Sequence, residues 1–475
     1  MQQVSIAARQ PSGRWVLTGL SLTMLMPSLA TSTANVALPS LARTFAASFQ
    51  AAQWIVLAYL LTVTALVVAA GRLGDVMGRR RLMLTGIFVF ASGSLLCGFA
   101  PTLDLLIAAR VVQGGGAAVM MALTMAFAAA IVPAERTARA MGLLGTMSAV
   151  GTMMGPALGG LLITWAGSTA IFLINLPLAA AAVAIMIRTL PQDPRREGSK
   201  SSRFDLFGMV LLIASLTGYA LALTLGRGRF GFTNLTFLIA AVGISAAFIA
   251  VEMRASSPLI RLNMLHNKVL AAGLSISMIV STVMMSTLIV GPFYLARVVG
   301  LAPGHAGLVL AVGPLVAAVV GVPAGRLVDE FGTERATLAG LVVIAADAVV
   351  LSIVQPASGI VGYIVPIIGM TAGYGLFQVA NNAAVMAASI PAERGVVSGM
   401  LGLSRNLGLV TGASAMGAVF AWGTGLADIM KAQPVAVAAG AHASFATAAI
   451  LIGVGLIIAL RVAPRRRALE ANAEG

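Results

Sequence analysis

The feature that most constrains this chain is a succession of long apolar stretches separated by short charged loops. Each stretch has about the 20 residues that a helix needs to cross the hydrocarbon core of a bilayer. Backbone groups in lipid form their hydrogen bonds within their own segment, and the stretches show no strand-like alternation, so helices are predicted. The fourteen stretches are 15–39, 51–71, 82–100, 105–132, 140–165, 170–188, 206–225, 233–251, 269–296, 304–325, 336–354, 359–388, 396–420 and 441–461.

The composition excludes a water-soluble fold. Charged residues make up 9% of the chain and hydrophobic residues 59%, whereas soluble domains carry about 25% charged residues. The net charge of +15 does not indicate a nucleic-acid partner, because the basic residues are scattered between apolar stretches and not clustered on one face. The first stretch is too long for a signal-peptide core and is expected to remain as a span. The expected surroundings are therefore the lipid bilayer.

The loops predict the orientation of the chain. With the N-terminus inside, the N-tail, alternate loops and C-tail hold 23 Lys and Arg residues, against five on the opposite side. Positively charged loops are characteristic of the cytoplasmic side, and an odd number of spans would destroy this bias. We expect a multi-pass protein of the cell membrane, which in bacteria is the inner membrane, with both termini in the cytoplasm.

An internal repeat divides the chain. The segment GRLGDVMGRRR (71–81) recurs as GRLVDEFGTER (325–335), at an offset of 254 residues. PAER at 133–136 recurs at 391–394, at an offset of 258 residues, after the fourth span of each half. Two repeats at nearly one offset indicate duplication, and parallel six-helix repeats are the layout of major facilitator transporters. The predicted regions are an N-terminal six-helix bundle (15–188), linkers with two additional spans (189–268), a C-terminal six-helix bundle (269–461) and a cytoplasmic tail (462–475).

Several segments resemble those of a known family. Residues 71–81 are similar to the signature loop between the second and third helices of the major facilitator superfamily, and GTMMGPALGG (151–160) resembles the fifth-helix signature of its exporters. With QWIVLAYLLTVTALVVAAGRL (53–73) and IFLINLP (171–177), the chain resembles the fourteen-span drug:proton antiporter family over nearly its whole length. The resemblance implies an all-α integral membrane fold of the major facilitator type and a substrate site between two bundles.

The repeated charged loops are predicted to form a cytoplasmic gate. Glycines allow a turn and a neighbouring helix to approach closely, and an acid among arginines can form charge pairs. The alternative is that these charges only fix the topology and solvate a loop, although arginines kept for that purpose would need no acid. The resemblance implies that the loops hold the cytoplasmic side closed in one state and release it in the other. The predicted gate residues are Gly71, Arg72, Asp75, Gly78, Arg79, Arg80, Glu135, Arg136, Gly325, Arg326, Asp329, Glu393 and Arg394.

The fifth span carries a stripe of small residues. Gly151, Gly155 and Gly159 recur every fourth residue and predict tight helix packing. Pro156, which precedes Gly159 and Gly160, predicts a kink. The matching stretch 409–418 lacks the proline and most of the glycines, so an asymmetric, kinked helix that suits a one-way gate is expected. Close packing alone is the alternative, and the export direction is what the resemblance implies.

Three spans carry polar residues on one helical face, at the spacing i, i+3, i+4, i+7. Polar groups in lipid are functional candidates by default, and the resemblance implies that the first and fourth helices of each half line the cavity. Ser and Thr can alternatively form hydrogen bonds between helices. The predicted cavity residues for a small-molecule substrate are Ser28, Thr31, Ser32, Asn35, Gln113, Tyr374, Phe377, Gln378, Asn381 and Asn382.

Three ionisable residues within spans are candidates for coupling to protons. Asp347 is the one acid placed centrally in a span, where it would either load a proton or bond a neighbouring helix. Arg110 in RVVQG matches a fourth-helix arginine that the resemblance implicates in proton coupling; the alternative is that it snorkels to the interface. Arg405 is the third candidate, or else bonds carbonyls or an acid. The family's first-helix signature places an acid where this chain has Ala30.

The remaining residues indicate no cofactor, metal site or enzyme. Cys97 is the single cysteine, His266, His305 and His442 lack metal-ligand spacing, and no phosphate-binding glycine-lysine loop is present. The prediction is a monomeric secondary transporter that exports amphipathic drugs or metabolites in exchange for protons. A narrow-specificity exporter, a facilitator without proton coupling, and a membrane sensor or scaffold that has lost transport are the alternatives.

Overall fold

The computed structural model describes residues 13–131, 134–190, 206–224, 231–254, 266–388, 394–425 and 432–474, although some side chains within these ranges are not described. All regular structure in these ranges is helical. The helices are α1 (Gly13–Thr44), α2 (Phe49–Met77), α3 (Arg79–Gly98), α4 (Leu103–Ile131), α5 (Ala134–Ala166), α6 (Ala170–Leu173), α7 (Asn175–Thr189), α8 (Leu206–Thr224), α9 (Phe232–Arg254), α10 (Lys268–Arg297), α11 (Pro303–Ile353), α12 (Gly359–Ala387), α13 (Arg394–Thr411), α14 (Gly417–Gly423) and α15 (Pro434–Glu474).

The fourteen predicted spans each correspond to helical structure. Within the described residues, twelve segments are long and apolar enough to cross a membrane. The two other predicted spans correspond to α5 and to α13 with α14, which a π-helical turn at Gly412–Met416 joins. The span predicted at 170–188 is formed by α6 and α7 together, and the two spans predicted at 304–325 and 336–354 both lie within α11.

The internal repeat reappears as a repeated turn. Gly78, between α2 and α3, has φ 94° and ψ 129°, and Gly332, within α11, has φ 81° and ψ 161°. Both lie in a region of conformational space that residues with a Cβ atom rarely adopt. Gly332 therefore divides α11 into a first segment that ends at this turn and a second segment that begins there, as Gly78 separates α2 from α3.

The helices form two groups. In the first group, α1 packs mainly on α5 and also on α4 and α7, while α4 lies between α2 and α3. In the second group, α10 packs on α13 and α15, and α12 packs along α11. Successive spans alternate in direction, so the molecule has two ends. We call the end with the α1–α2 loop the Phe49 side and the end with the α2–α3 turn the Gly78 side.

The additional pair, α8 and α9, lies outside both groups. The two helices pack on each other, and α8 also contacts α2, α14 and the π-helical turn. It therefore covers the seam between α2 and the α13–α14 region. Large apolar side chains such as Phe88, Ile239 and Ile450 are more than 60% exposed, which is expected for helices whose outer faces contact lipid. Trp165 and Trp422, both at the Phe49 side, are exposed as in an interfacial aromatic belt.

Candidate functional site

The two helix groups are sealed together at the Phe49 side. Phe49 at the start of α2 contacts Phe293 of α10 edge to face, with ring centroids 4.9 Å apart. Phe420 of α14 completes the cluster, with its ring centroid 5.5 Å from that of Phe49. All three side chains are at most 1% exposed. Because edge-to-face aromatic contacts add to the burial of apolar area, this cluster closes the seam against water.

A hydrogen bond between the two groups lies directly below this cluster. The Nε2 atom of Gln53 on α2 donates to the main-chain carbonyl oxygen of Ala413, at 2.8 Å. Ala413 lies in the π-helical turn, which disturbs the regular hydrogen-bond pattern of the helix. A Cβ atom on Gly417 would overlap the amide of Gln53. The glycine and the widened turn together make room for the glutamine.

The second contact between the groups joins α5 to the first segment of α11. A Cβ atom on Gly307 would overlap the carbonyl oxygen of Pro156, and one on Gly160 would lie 2.7 Å from the carbonyl oxygen of Pro303. Both contacts are shorter than packing permits, so only glycine allows these backbones to meet. The seam between α5 and α11 is thus formed by backbone contacts, whereas the seam between α2 and the π-helical turn is formed by a side-chain hydrogen bond.

The two seams are related by the internal repeat. Gln53 and Gly307 are 254 residues apart, the same offset as the charged loops, and Gly160 and Gly417 are 257 residues apart. Each seam therefore pairs the second helix of one group with the fifth helix of the other. The sequence analysis missed Gln53, Gly307 and Gly417 as contact residues. Applying the offset of the repeat to the whole of each half, and not only to the charged loops, would have matched Gln53 with Gly307 and Gly160 with Gly417.

Toward the Gly78 side, four glycines have open space beside them, unlike the glycines of the two seams. Gly71 of α2, Gly321 and Gly325 of α11, and Gly402 of α13 would each carry a Cβ atom with no heavy atom within 4 Å. Gly71 and Gly325 are the first residues of the repeated charged segments. We call the space between the two groups on this side the cleft.

Two of the predicted cavity residues contact α5 instead of the cleft. Ser28 shares a hydrogen bond of 2.6 Å with Ser148, and the Ser32 hydroxyl donates to the carbonyl oxygen of Thr152 at 2.7 Å. The glycine stripe lies in the same interface, where Gly151 meets the backbone of Leu25. These two serines therefore form hydrogen bonds between helices, which was the alternative to lining the cavity.

The matching interface of the second group uses glycines as well. Gly408 and Gly412 of the second group meet Met278 and Met285 on α10 as Gly151 and Gly155 meet α1. The sequence comparison had suggested that the second half lacks most of this stripe. At an offset of 257 residues, Gly408 and Gly412 match Gly151 and Gly155, whereas Met416 stands at the position of Gly159 and Ala413 at that of Pro156.

Thr31 and Asn35 share one helical face of α1 with Ser28 and Ser32, but neither forms a described hydrogen bond with α5. The Thr31 hydroxyl is partly exposed and donates to the carbonyl oxygen of Pro27 at 2.9 Å. Asn35 is fully buried, and neither its amide nitrogen nor its amide oxygen has a hydrogen-bond partner. A buried amide without partners costs about 1–3 kcal/mol. The burial of Asn35 is therefore unfavourable in this conformation.

The predicted face of α12 contacts α11 and α10, and the rest of it is accessible. Phe377 is buried against Gly340 in α11, and the amide nitrogen of Asn381 donates to the carbonyl oxygen of Gly273 in α10 at 3.0 Å. Tyr374 and Gln378 are half-buried, and Asn382 is exposed. Only the last three retain access to solvent or to a ligand.

Arg110 and Gln113 lie in the core of the first group. The Arg110 Nε atom donates to the carbonyl oxygen of Ile55 at 2.9 Å, its Nη1 atom donates to Oε1 of Gln113, and its guanidinium carbon lies 4.1 Å from the ring centroid of Tyr59. Gln113 in turn donates to Ser94 at 2.7 Å. Arg110 is fully buried and its Nη2 atom has no partner. It does not snorkel, and Gln113 supports it from within the group.

Asp347 and Arg405 lie in different surroundings. The Asp347 carboxylate, half-buried in the second segment of α11, packs directly on Gly369 of α12. It is therefore placed between two helices of one group and not in the seam between groups. Arg405 is half-buried on α13. Ala30, at the position of the family's first-helix acid, is completely buried.

The predicted gate residues are described in part. The Arg80 Nη2 atom donates to the carbonyl oxygen of Ile187 at 2.6 Å and so caps the end of α7. The aliphatic part of Arg79 lies beside Gly74. Arg326 and Asp329 are exposed near Gly332. The side chains of Arg72, Asp75, Glu135, Arg136 and Arg394, and the whole of Glu393, lie outside the described residues.

The described residues contain no group of three or more His, Cys, Asp or Glu side chains that could hold a metal ion. Cys97 is buried in the first group.

Comparisons with known proteins agree on one family. The sequence model of the Major Facilitator Superfamily matches residues 20–413. The chain is 30% identical to the riboflavin transporter RibZ of Clostridioides difficile over 446 residues, which cover 94% of this chain and 96% of that protein. It is 31% identical to the multidrug resistance protein Stp of Mycobacterium tuberculosis over 412 residues, which cover 86% and 75% of the two chains.

Solved structures share the fold at low sequence identity. A bacterial homologue of the human lysosomal transporter Spinster, solved in an inward-facing and unoccupied conformation, has a TM-score of 0.67 and 16% identity, and the match covers 96% of this chain and 98% of that one. A mutant of the nucleoside transporter NupG has a TM-score of 0.62 and 13% identity, and the match covers 96% of this chain and 99% of that one.

Proposed function

Because this chain belongs to the major facilitator superfamily, we propose that it exports small amphipathic molecules in exchange for protons, by alternating access. Family membership and the transporters among its relatives make it a multi-pass membrane transporter of small molecules and not an enzyme. The export direction, the coupling to protons and the amphipathic class of substrate go beyond family membership and are proposed here.

The observation that carries the proposal is the difference between the two ends of the molecule. The seal of Phe49, Phe293 and Phe420 closes one end, while Gly71 and Gly325 face open space at the other. The distribution of Lys and Arg supports a cytoplasmic location for the Gly78 side. With that orientation, the cleft is open to the cytoplasm, which is the state in which an exporter loads its substrate.

Alternating access requires seams that can separate. The seam at the Phe49 side depends on one side-chain hydrogen bond, from Gln53, and on glycine contacts such as that of Gly307. These are short-range contacts that a rocking motion can break. The buried, unpartnered amide of Asn35 supports the same motion, because opening the Phe49 side would hydrate it.

Coupling to protons requires a group that binds a proton in one state and releases it in the other. Asp347 is a candidate because a carboxyl group packed on Gly369 in the interior of a span is favoured in its neutral form and would release its proton when hydrated. Arg110 is a candidate by resemblance, and its unpartnered Nη2 atom leaves one donor for a further acceptor. Arg405 is the third candidate, and the gate residues, including Asp75 and Asp329, would alternate between paired and separated states.

A facilitator without proton coupling is the second candidate function. It is favoured by Ala30, which replaces the family's first-helix acid, and by the location of Asp347 between α11 and α12. In this alternative, the substrate gradient alone would drive transport.

One flux experiment separates these functions. Purified protein in liposomes is loaded with a fluorescent compound, and its movement is measured with and without an imposed pH gradient, for the wild type and Asp347→Asn. Antiport predicts that the gradient accelerates flux in the wild type and that the variant loses this acceleration. Flux that is equally fast without the gradient would establish the facilitator, and the absence of flux for every compound would contradict transport as the activity.

A further inference from the structure

Three charged side chains lie well inside the described spans, and two of them are accounted for by their own helix group. Arg110 is enclosed by Ile55, Gln113 and Tyr59, and Asp347 packs on Gly369. Arg405 is different. It is half-buried, and no described residue forms a hydrogen bond or an ion pair with it. A charge in this position is costly and therefore points to function.

The neighbours of Arg405 on α13 show where it points. Ser404 donates a hydrogen bond to the carbonyl oxygen of Leu274, and Gly408 packs on Met278, so this side of the helix faces α10. Farther along, Ala413 and Gly417 face Gln53 on α2. Successive residues of a helix are rotated by about 100°. Arg405 thus lies in the sector between the faces directed at α10 and α2, which is the sector turned to the cleft.

Arg405 lies too deep in its span to be one of the loop charges that set the orientation of the chain. Arg405 is eleven residues after Arg394, where α13 begins at the Gly78 side, which corresponds to about 16 Å along the helix axis at 1.5 Å per residue. That is about half the thickness of a hydrocarbon core of about 30 Å. The guanidinium group is therefore near the middle of the membrane, within the cleft, and away from the loops that set the orientation.

The cleft has no described carboxylate to balance this charge. Among the described side chains of α1, α2, α5, α10, α12 and α13, no Asp or Glu is present, and the acids of the first segment of α11, Asp329 and Glu330, lie at its Gly78-side end. The side chains of Asp75 and Glu135 lie outside the described residues. The polar side chains with access on α12 are the uncharged Tyr374, Gln378 and Asn382. A cationic substrate would meet an unopposed positive charge, whereas an anion would complete a charge-assisted, bidentate pair.

We propose that Arg405 is the recognition site for a negatively charged group of the substrate, such as a carboxylate, phosphate or sulfonate, whose apolar part occupies the rest of the cleft. This inference rests on the proposed transport function and narrows its substrate class to anionic amphiphiles. Arg405 is a specificity-determining residue in this scheme, while Tyr374 and Gln378 are available as neutral hydrogen-bonding partners for the same ligand.

The test measures flux into and out of liposomes for compounds of three charge classes. The anions are flavin mononucleotide, carboxyfluorescein and pyranine; the neutral compound is riboflavin, which shares its ring system with the first anion; and the cation is rhodamine 123. Loss of a charge-assisted bond of about 1.5–3 kcal/mol corresponds to a tenfold to hundredfold loss of affinity. Arg405→Gln is expected to show that loss for the transported anion and little change for riboflavin.

Two further variants control the comparison. Arg405→Lys retains the charge without the planar fork and is expected to retain part of the anion flux. Arg461→Gln removes an exposed positive charge near the end of the membrane span within α15 and is expected to leave all classes unchanged. Selective transport of anions by the wild type, lost in Arg405→Gln, is the expected result.

The contrary outcomes are distinct from a failure of transport itself. Movement of rhodamine 123 without movement of any anion would overturn the anion assignment and leave export intact. An equal loss of all three classes in Arg405→Gln would also overturn it, because a residue that neutralises a lipid headgroup or supports the fold would act without regard to substrate charge. No movement of any compound would overturn the inference together with the proposed function.

Discussion

The side-chain amide of Gln53 reaches from α2 into the second helix group and donates to the main-chain oxygen of Ala413 at 2.8 Å. The bond joins residues 360 positions apart and is fully buried. It is possible only because the π-helical turn exposes this carbonyl and Gly417 leaves space for the amide. The closed Phe49 side is thus specified by a side chain, a turn and a glycine together.

Removal of this hydrogen bond is expected to favour opening of the Phe49 side. In Gln53→Leu the loss of about 1 kcal/mol shifts the equilibrium about fivefold. The shift is measured as a faster reaction of Gln50→Cys with a membrane-impermeant maleimide, in a Cys97→Ser background. Thr64→Val is the control, because the Thr64 hydroxyl bonds only to Leu60 in its own helix. Equal labelling of both variants would show that Gln53 does not hold the seam.

The glycine seam is expected to tolerate no side chain. In Gly307→Ala, the added Cβ atom would overlap the carbonyl oxygen of Pro156, and overpacking of this kind costs about 1–3 kcal/mol. The variant should express normally, because it is able to fold in the opposite state, but lose more than tenfold in transport. Gly243→Ala on α9, where a Cβ atom would meet open space, serves as the control. Undiminished transport by Gly307→Ala would contradict the contact.

The hydrogen bonds of Arg110 predict a loss of stability for one apolar substitution and little change for another. Gln113→Leu removes the acceptor of the Nη1 atom, leaves the buried guanidinium with fewer partners and is expected to lower the free energy of unfolding by about 1–3 kcal/mol. Arg110→Met removes the buried charge itself and is expected to remain within about 1 kcal/mol of the wild type. Thermal unfolding in detergent compares the two. A larger loss in Arg110→Met would mean that the charge stabilises the fold.

Asp347 and Gly369 are expected to be coupled. Gly369→Ala would place a methyl group into the carboxylate of Asp347, so we expect a loss of stability of about 1–3 kcal/mol. The double variant with Asp347→Ala should recover most of this loss, because the colliding group is then absent. Thermal unfolding of the four proteins of this cycle gives the interaction free energy. Additive effects would show that the two residues do not touch.

The two repeated turns are expected to require glycine. Alanine at Gly78 or Gly332 would have to adopt a positive φ angle, which costs about 1–2 kcal/mol. Gly71→Ala, in a helical segment with open space around it, is instead expected to be neutral or slightly stabilising. Thermal unfolding and expression yield of the three variants are compared. Equal stability of Gly71→Ala and Gly78→Ala would contradict the role assigned to the turn.

The positions of the spans and of the duplication could be predicted from the sequence because they depend on local properties. A segment of about 20 apolar residues must form a helix in lipid wherever it lies, and the repeated glycines at 78 and 332 mark the same turn twice. The pattern of small residues on α5 likewise predicted close packing, which Gly151 and Gly155 confirm. None of these inferences required a partner helix to be known.

Only the tertiary structure decided which partner each polar face meets. A helical period places Ser28 with Asn35 and Phe377 with Gln378 on one side of a helix, but cannot show that Ser28 bonds to Ser148 or that Phe377 packs on α11. The seal around Gln53 and the half-burial of Arg405 depend on contacts between residues far apart in the chain. Such contacts arise from the packing of two bundles, because the free energy of burying a polar group depends on what surrounds it and not on its place in the chain.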